Sequence, residues 1–364
     1  MLKFPSNKFF KIIISSKKYF FVFGCILFLL IILKLFNYSL TDTFSDIAYE
    51  DYFIGNNKKI GIRIPKKINF AGEKVPVSDI LIRNAIEREL LINTFWKSKS
   101  LILHKRAAKW FPVIEPILKK NNIPEDFKYI TLVESQLMNV ISPREATGFW
   151  QIMECTGVGY GMEINEEVDE RYHVIKSTEM ACKYFKDAYK IFNNWTLVAA
   201  SYNYGMGGIK GQLDQQKVKS YYELKLNSET SRYVYRILAM KEIIARPKVY
   251  GFMLRKKDVY PFIATKKIRI DSAIHNLSDF AITQKINYKI LKSFNPWLLT
   301  NKLTNPGKKK YFFEIPQKGV EIYDIDGDYN SSDSSKINKV LKLVPVSGVC
   351  NDSVLPNNKL KKNS

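Results

Sequence analysis

The stretch YITLVESQL, residues 129–137, places one acid, Glu134, among apolar neighbours. The IPED sequence before it (123–126) has a proline and two acids, which is typical of the first turn of a helix. In a helix that begins there, four residues share one stripe: Phe127, Ile130, Glu134 and Leu137. A carboxylate on an apolar stripe either pairs with a cation or keeps its proton. The segment alone favours the first interpretation, a partly buried structural ion pair.

The charge of the chain is strongly basic, with 57 Lys and Arg against 35 Asp and Glu in 364 residues and a net charge of +22. Such a charge fits nucleic acid, an anionic membrane surface or an anionic polymer as a partner. The excess is mostly lysine scattered along the chain, and we find no arginine-dense helix, zinc spacing or RNA-binding aromatic motif. We therefore expect no nucleic-acid partner.

The N-terminal region contains an unbroken apolar run from Tyr19 to Leu33, which Leu35 and Phe36 extend past Lys34. A run of roughly 17 to 20 residues is sufficient to span a bilayer. Five lysines precede the run, and by the positive-inside rule they keep the N-terminus in the cytoplasm. No small-x-small cleavage site follows, so residues 19–36 are interpreted as a single-pass anchor rather than a signal peptide. We expect residues 1–18 in the cytoplasm and the chain after about residue 37 to be exported.

The middle of the chain has helical periodicity and, from Phe70 to about residue 250, no convincing alternating strand. Ser78 is the expected N-cap of the first helix, and Pro112 the expected break in the second. The segment GMGGIKG (205–211) is expected to be a glycine turn at a helix end. The predicted helical segments are 78–96, 101–119, the Glu134 helix, 177–192, 194–202 and 228–245. The fold class is therefore mainly α.

The composition changes after Gly251, where KKIRID (266–271), NLSDFA, INYKILKSFNPWL and YFFEIP (311–316) predict a small strand–helix–helix–strand module. After Gln317, charged residues, Ser and Asn predict a disordered tail. The expected organisation is therefore a stalk over 37–66, a helical domain over 67–252, an α+β module over 260–318 and a tail over 319–364. Of the four cysteines, Cys155 and Cys182 are able to pair in an oxidising compartment, although buried free thiols are the default expectation.

Metal and cofactor chemistry finds little support in the sequence. The three histidines are isolated, without a His pair at i,i+4 or a Cys/His cluster. No Gly-x-Ser-x-Gly elbow occurs, and the glycine-rich segment follows a helix and lacks the Gly-Lys-Ser/Thr of a phosphate loop. We expect no metal and no cofactor.

Glu134 remains, together with aromatic and amide groups that suit a groove for a sugar polymer, because rings stack on pyranoses and amides bind acetamido and hydroxyl groups. These candidates are Trp150, Gln151, Tyr202, Asn203 and Tyr233. Most glycosidases use two carboxylates that flank the bond. Glu134 has no equally well-placed partner in the sequence, and a lytic transglycosylase needs only one acid.

An ordered series of motifs resembles the soluble lytic transglycosylase domain: ESQL (134–137), Ser142, GFWQIM (148–153), DERY (169–172), ST (177–178), AASYNYGMG (199–207) and ETSRYVYRI (229–237). FAGEKVPV (70–77) and IPEDFKYI (123–130) resemble the lead-in of membrane-bound lytic murein transglycosylases of the D type. The resemblance covers about residues 70–250. It implies a goose-type-lysozyme-like helical domain.

The resemblance also implies that Glu134 is the sole catalytic acid/base and that five further residues line the saccharide groove: Ser142, Gln151, Tyr202, Asn203 and Tyr233. Three positions depart from the family pattern. Glu145 stands where the family usually has Gly, Glu154 where it has Pro, and Ser201 where it has Ala. None of these changes removes a catalytic group. Residues 266–316 resemble a degenerate LysM module, for which glycan binding and a merely structural role both stay open.

The implied function is that of a peptidoglycan lytic transglycosylase, which cleaves the β-1,4 bond between N-acetylmuramic acid and N-acetylglucosamine without water and leaves 1,6-anhydromuramoyl ends. The expected partners are peptidoglycan glycan strands and, through residues 19–36, the inner membrane, with the catalytic domain in the periplasm. Two alternatives stay open: an inactive wall-binding tether, and a hydrolytic muramidase using Glu145 or Glu154 as second carboxylate. The oligomeric state is not indicated.

Overall fold

The structure is a computed structural model that describes residues 27–28, 62 and 64–317. The chain divides into two units, residues 1–60 and 61–364. The predicted anchor (19–36) lies outside the described residues except for Leu27 and Phe28, as do residues 1–18, the tail and most of the stalk. Within the described residues, no helix is both long and apolar enough to cross a membrane.

The second unit is mainly helical up to residue 250, as predicted. A short antiparallel pair, β1 (Asn69–Phe70) and β2 (Glu73–Lys74), precedes eight helices among the described residues. These are α1 (Ile80–Phe95), α2 (Lys97–Lys120), α3 (Lys128–Glu134), α4 (Glu154–Gly159), α5 (Val174–Phe192), α6 (Trp195–Tyr204), α7 (Met206–Gln216) and α8 (Thr230–Ala245).

Three local predictions were wrong. Asp79, not Ser78, caps α1, because its carboxylate accepts from the backbone amides of Leu81 and Ile82. Pro112 does not interrupt α2, since packing of this helix against α3 and α5 outweighs the local cost of a proline. In the glycine-rich segment only Gly205, with φ of 81°, forms a turn, and the rest of it is the start of α7.

The core of the helical domain is built around aromatic side chains, and a buried carboxylate on α1 pairs with an arginine on α8. Phe127 lies between the rings of Phe70, Phe185 and Trp195, at centroid distances of 4.5 to 5.3 Å. Glu89 on α1 is 1% exposed and accepts from the guanidinium of Arg232 on α8 at 2.8 and 3.2 Å. This pair joins α1 to α8, the helix that carries Tyr233.

The C-terminal module has the predicted strand–helix–helix–strand order: β3 (Thr265–Ile270), α9 (Leu277–Thr283), α10 (Tyr288–Phe294) and β4 (Tyr311–Pro316). The strands are antiparallel, with Ile270 opposite Tyr311. The hydrophobic core of the module is completed by Val168, which belongs to the loop before α5 and is 1% exposed.

The loop of residues 163–173 is the docking site of this module on the helical domain. Asp169 donates its amide to the Trp297 carbonyl (2.9 Å), and Leu299 donates its amide to the Glu167 carbonyl (2.8 Å). The Tyr311 hydroxyl donates to the Glu163 carboxylate at 2.8 Å. The ring of His173 stacks on Trp297 with centroids 5.8 Å apart. The module and the loop therefore form one packed unit rather than two bodies on a linker.

Candidate active site

Glu134 is the last residue of α3 and is half-buried. The hydroxyl of Tyr233 on α8 donates to its Oε1. Burial raises the pKa of Glu134 to about 7, while the Tyr233 hydrogen bond and the Arg236 charge act in the opposite direction and the Glu229 charge raises the pKa further. Within the described part of the chain no salt bridge to Glu134 forms, so the structural ion pair favoured by the segment alone is not observed.

The helix ends at Glu134 because the chain then turns. Gln136 and Leu137 have φ of 57° and 59°, in the left-handed region that side chains disfavour. The predicted helical stripe therefore stops at Glu134, although Leu137 is still buried by the turn. Ser135 secures this turn by donating its hydroxyl to the Phe149 carbonyl at 2.8 Å. The acid is thus fixed between a helix end and the following loop.

The loop of residues 140–152 is held by its own polar groups. The Ser142 hydroxyl accepts from the Ala146 amide at 3.0 Å. The Gln151 side-chain amide donates to the carbonyls of Val140 and Gly148, both at 2.9 Å. Ser142 is half-buried and Gln151 is 9% exposed. These two predicted groove residues therefore shape the loop through their side chains.

Left-handed backbone is concentrated in this region, which is common where a structure holds functional groups. Glu145 has φ of 65°, which explains why the resembling family usually has glycine there. At Gly148, with φ of 80°, an added Cβ would lie 2.2 Å from the Arg171 carbonyl oxygen. The Arg171 guanidinium pairs with Asp169 and also donates to the carbonyls of Glu145 (3.3 Å) and Ile152 (3.4 Å). Arg171 thereby connects the module-docking loop to the loop beside Glu134.

Trp150 requires a correction. Its side chain is fully buried and its indole nitrogen donates to Thr178 Oγ1 at 2.8 Å, so it is a core residue and not an exposed groove wall. From the sequence alone, a tryptophan in this motif is compatible with a groove wall or with the core. Its ring packs against Phe185 and Tyr202, which places it in the core. Its backbone carbonyl accepts from the Tyr202 hydroxyl at 2.7 Å.

Tyr233 contacts the acid, and the charge of the acid also raises the pKa of Tyr202. Burial raises the pKa of each phenol well above its ordinary value, and the Glu134 charge adds to the shift, so both remain proton donors at neutral pH. Asn203 is buried, donates to Glu229 (3.1 Å) and accepts from the Thr230 hydroxyl (2.8 Å). The structure therefore places Tyr233 in contact with Glu134, whereas Tyr202 bonds to the Trp150 carbonyl and Asn203 bonds to Glu229.

Sequence reasoning missed Arg236, Glu229 and Arg171. Arg236 donates to the Val133 carbonyl at 3.3 Å. It follows Tyr233 by three positions, so helical spacing already places the two on one face of α8. Glu229 and Arg171 both lie within quoted motifs, but their contacts are with residues distant in sequence.

Comparison with known proteins agrees with the motifs. Residues 111–225 match the family model of the Transglycosylase SLT domain, and residues 266–319 match that of the soluble lytic transglycosylase C-terminal LysM-like domain. The resemblance indicated by the sequence is thus confirmed.

Two curated relatives carry the same description, membrane-bound lytic murein transglycosylase D, from Escherichia coli strain K12 and strain O6:H1. Each is 28% identical over 222 residues, which is 59% of this chain and 48% of the relative. The matched part thus spans about half the length of these relatives. The X-ray structure of an inactive mutant of lytic transglycosylase Slt from Pseudomonas aeruginosa is 19% identical, over 41% of this chain and 26% of that one, with a TM-score of 0.30. Similarity at that level supports no argument about the fold.

Proposed function

We propose that this chain, which carries a transglycosylase SLT domain followed by a LysM-like domain, is a peptidoglycan lytic transglycosylase with Glu134 as its acid and base. The main support for this proposal is the environment of Glu134. Its carboxyl is half-buried, its pKa is raised to about 7, it accepts a hydrogen bond from Tyr233, and it forms no salt bridge with any described residue. A group that titrates near neutral pH is suited both to donate and to accept a proton.

The proposed reaction uses Glu134 twice. In its protonated form it donates to the oxygen that links N-acetylmuramic acid to N-acetylglucosamine, and the bond from C1 to that oxygen breaks. The oxocarbenium-like centre at C1 is assisted by the substrate's own 2-acetamido carbonyl. The ionised carboxylate then accepts the proton of the muramoyl 6-hydroxyl, whose oxygen bonds to C1. The product is a 1,6-anhydro ring, Glu134 regains its proton, and no water is consumed.

Tyr233 supports this cycle because its hydroxyl stabilises the ionised form that exists between the two proton transfers. Tyr202, Ser142 and Gln151 are proposed to define the groove by holding the loop of residues 140–152 in place. Asn203 contributes by orienting Glu229, whose charge raises the pKa of Glu134. Trp150 contributes through packing.

The finer organisation is also part of the proposal. The apolar run and preceding lysines support an anchor over 19–36 in the inner membrane, with the SLT domain in the periplasm. For the module, the shared core with Val168 and the hydrogen bonds to residues 163–173 support a structural role, in which it holds the Arg171 loop against the active-site loop.

The test of the activity is mass spectrometry of purified peptidoglycan digested with the full-length protein in detergent. Glu134→Gln is the test variant, and Glu179→Gln, an exposed carboxylate on α5, is the matched control. We expect anhydromuropeptides from the native protein and the control only. Reducing-end muropeptides would show a hydrolase instead, and wall binding without any product would show a tether.

The structural role of the module is tested with Val168→Asp against Val158→Asp, because Val158 is 55% exposed and Val168 is buried in the module core. The buried substitution should lower both the melting temperature and the yield of anhydromuropeptides, while the exposed one should change neither. Equal effects of the two substitutions would contradict this role.

A further inference from the structure

Arg236 on α8 lies beside Glu134, and Lys99 on α2 is a second cation whose pKa is lowered by the Arg236 charge. Arg236 is on the same face of α8 as Tyr233 and donates to the carbonyl of Val133, the residue before Glu134. The positive charge of Arg236 lowers the pKa of both Lys99 and Glu134. Among the described residues neither cation forms a salt bridge, and the Lys99 amine lies 4.6 Å from the ring centroid of Trp96.

One face of α2 contacts the backbone that follows the acid. Lys99 and Arg106 are seven residues apart and therefore share one face of the helix. Arg106 donates to the Gln136 carbonyl at 3.3 Å. The basic face of α2 and the Arg236 face of α8 thus converge on the backbone on either side of Glu134.

This arrangement is electrostatically unfavourable as it stands. Burial, together with the Arg236 charge, lowers the pKa of Lys99 to about 8. Lys99 also lies in the first turn of α2, where the helix dipole disfavours a cation. By contrast, buried Lys128 pairs with Glu115 and Glu125, and half-buried Lys241 pairs with Asp126. A bound anion would relieve the repulsion between Lys99 and Arg236.

We propose that Lys99 and Arg236 form a carboxylate-binding subsite for the glycan beside Glu134. The inference rests on the proposed function, because that substrate carries carboxylates close to the bond that is cleaved. The carboxylate belongs either to the muramoyl lactyl group of a strand without peptides or to the attached peptide. Arg236 offers a planar guanidinium and Lys99 a point charge, while Trp96, 46% exposed, supplies an aromatic surface next to Lys99.

The experiment measures binding by calorimetry to full-length protein in detergent carrying Glu134→Gln, so that turnover does not interfere. Three muroglycan tetrasaccharides serve as ligands: one with free lactyl carboxylates, one with these converted to methylamides, and one with them amide-linked to a short peptide that has a free C-terminal carboxylate. We expect a carboxylate-bearing ligand to bind about tenfold more tightly than the methylamide, the lower end of what a hydrogen bond to a charged group contributes. If the ligand with free lactyl carboxylates binds more tightly than the peptide-bearing ligand, the lactyl group is the source of the carboxylate, and the reverse order identifies the peptide.

The added substitution Lys99→Gln should abolish this preference while leaving affinity for the methylamide unchanged, and Lys99→Arg should retain it. The control is Lys119→Gln, exposed and twenty residues along α2, about 30 Å away. A preference that survives Lys99→Gln, equal affinity for all three ligands, or no binding of any would overturn the subsite. If the digestion yields anhydromuropeptides but binding shows no carboxylate preference, the subsite alone is refuted. If binding shows the carboxylate preference but the digestion yields no anhydromuropeptides, the proposed activity alone is refuted.

Discussion

Replacing Glu134 with glutamine should stabilise the protein at pH 8 and not at pH 4. The ordinary pKa of 4.5 applies to the unfolded chain, against about 7 in the folded one. Below pH 4.5 the carboxyl is protonated in both states, so the acid carries no penalty. Between pH 4.5 and 7 only the unfolded state releases the proton, which favours unfolding progressively. Above pH 7 the full penalty is present.

The size of this penalty follows from the shift in pKa, at about 1.4 kcal/mol for each unit. Because part of the carboxyl is exposed to solvent, we take this penalty to lower the free energy of unfolding by about 2 to 3 kcal/mol at pH 8. Glutamine is uncharged, nearly isosteric, and still accepts the Tyr233 hydrogen bond, so the substitution removes the penalty alone. In a domain of this size the melting temperature should rise by about 4 to 12 °C.

The assay is thermal unfolding of the native protein and Glu134→Gln at pH 4, 6 and 8, followed by circular dichroism. Glu179→Gln serves as the control, because that carboxylate is exposed and its replacement should shift the melting temperature little at any pH. An equal gain at pH 4 and pH 8, or no gain at pH 8, would refute the reasoning that burial of the acid costs stability.

Three further substitutions test the site. Tyr233→Phe removes a hydrogen bond that favours ionised Glu134, so the pKa of Glu134 should rise. The alkaline limb of kcat/KM is set by loss of this proton near pH 7, and it should therefore move up by roughly one to two pH units. Glu145→Gly should raise the free energy of unfolding by about 0.5 to 1 kcal/mol in urea titration, since glycine relieves a φ of 65° at some cost in chain entropy. Gly148→Ala should lower it by about 3 kcal/mol or more, because its methyl group would collide with the Arg171 carbonyl.

Each of these has a matched control. Tyr221→Phe loses hydrogen bonds to the carbonyls of Thr230 and Ser231 and should leave the alkaline limb unmoved. Glu145→Ala removes the same carboxylate but keeps the strained backbone, so it should give no stabilisation. Gly211→Ala lies in α7 with open space around the added carbon and should be neutral or stabilising. A control that behaves like its test variant would contradict the corresponding explanation.

The helices between residues 80 and 245 were largely predictable, because apolar periodicity marks the helices and Pro and Gly residues lie near their ends. The end of α3 was not, because Gln136 and Leu137 adopt left-handed backbone without being Gly or Asn. The continuity of α2 through Pro112 depends on tertiary packing that a local rule does not contain. The module's order of strands and helices was predictable from composition, whereas its docking through Val168 was not, because a single valine carries no signal of its partner.

For the site, burial of Glu134 followed from the apolar stripe, and the identity of its neighbours followed from the resemblance. The roles of the neighbours did not follow. Trp150 has the residue type of a sugar-stacking wall and the environment of a core residue. The basic pair of Lys99 and Arg236 was not predictable in a lysine-rich chain, since only the structure shows which cations form no salt bridge with the described residues.

The hydrogen bond between Tyr233 and Glu134 joins residues 99 positions apart, and the SLT match includes only the second. That match begins inside α2 and ends before α8. The segment that matches the family model is therefore smaller than the unit that holds the proposed active site. A survey of relatives confined to residues 111–225 would record Glu134 but not the Tyr233 phenol that lowers its pKa. A sequence comparison of how such enzymes adapt to different pH therefore has to include the residues up to Ala245, the end of α8.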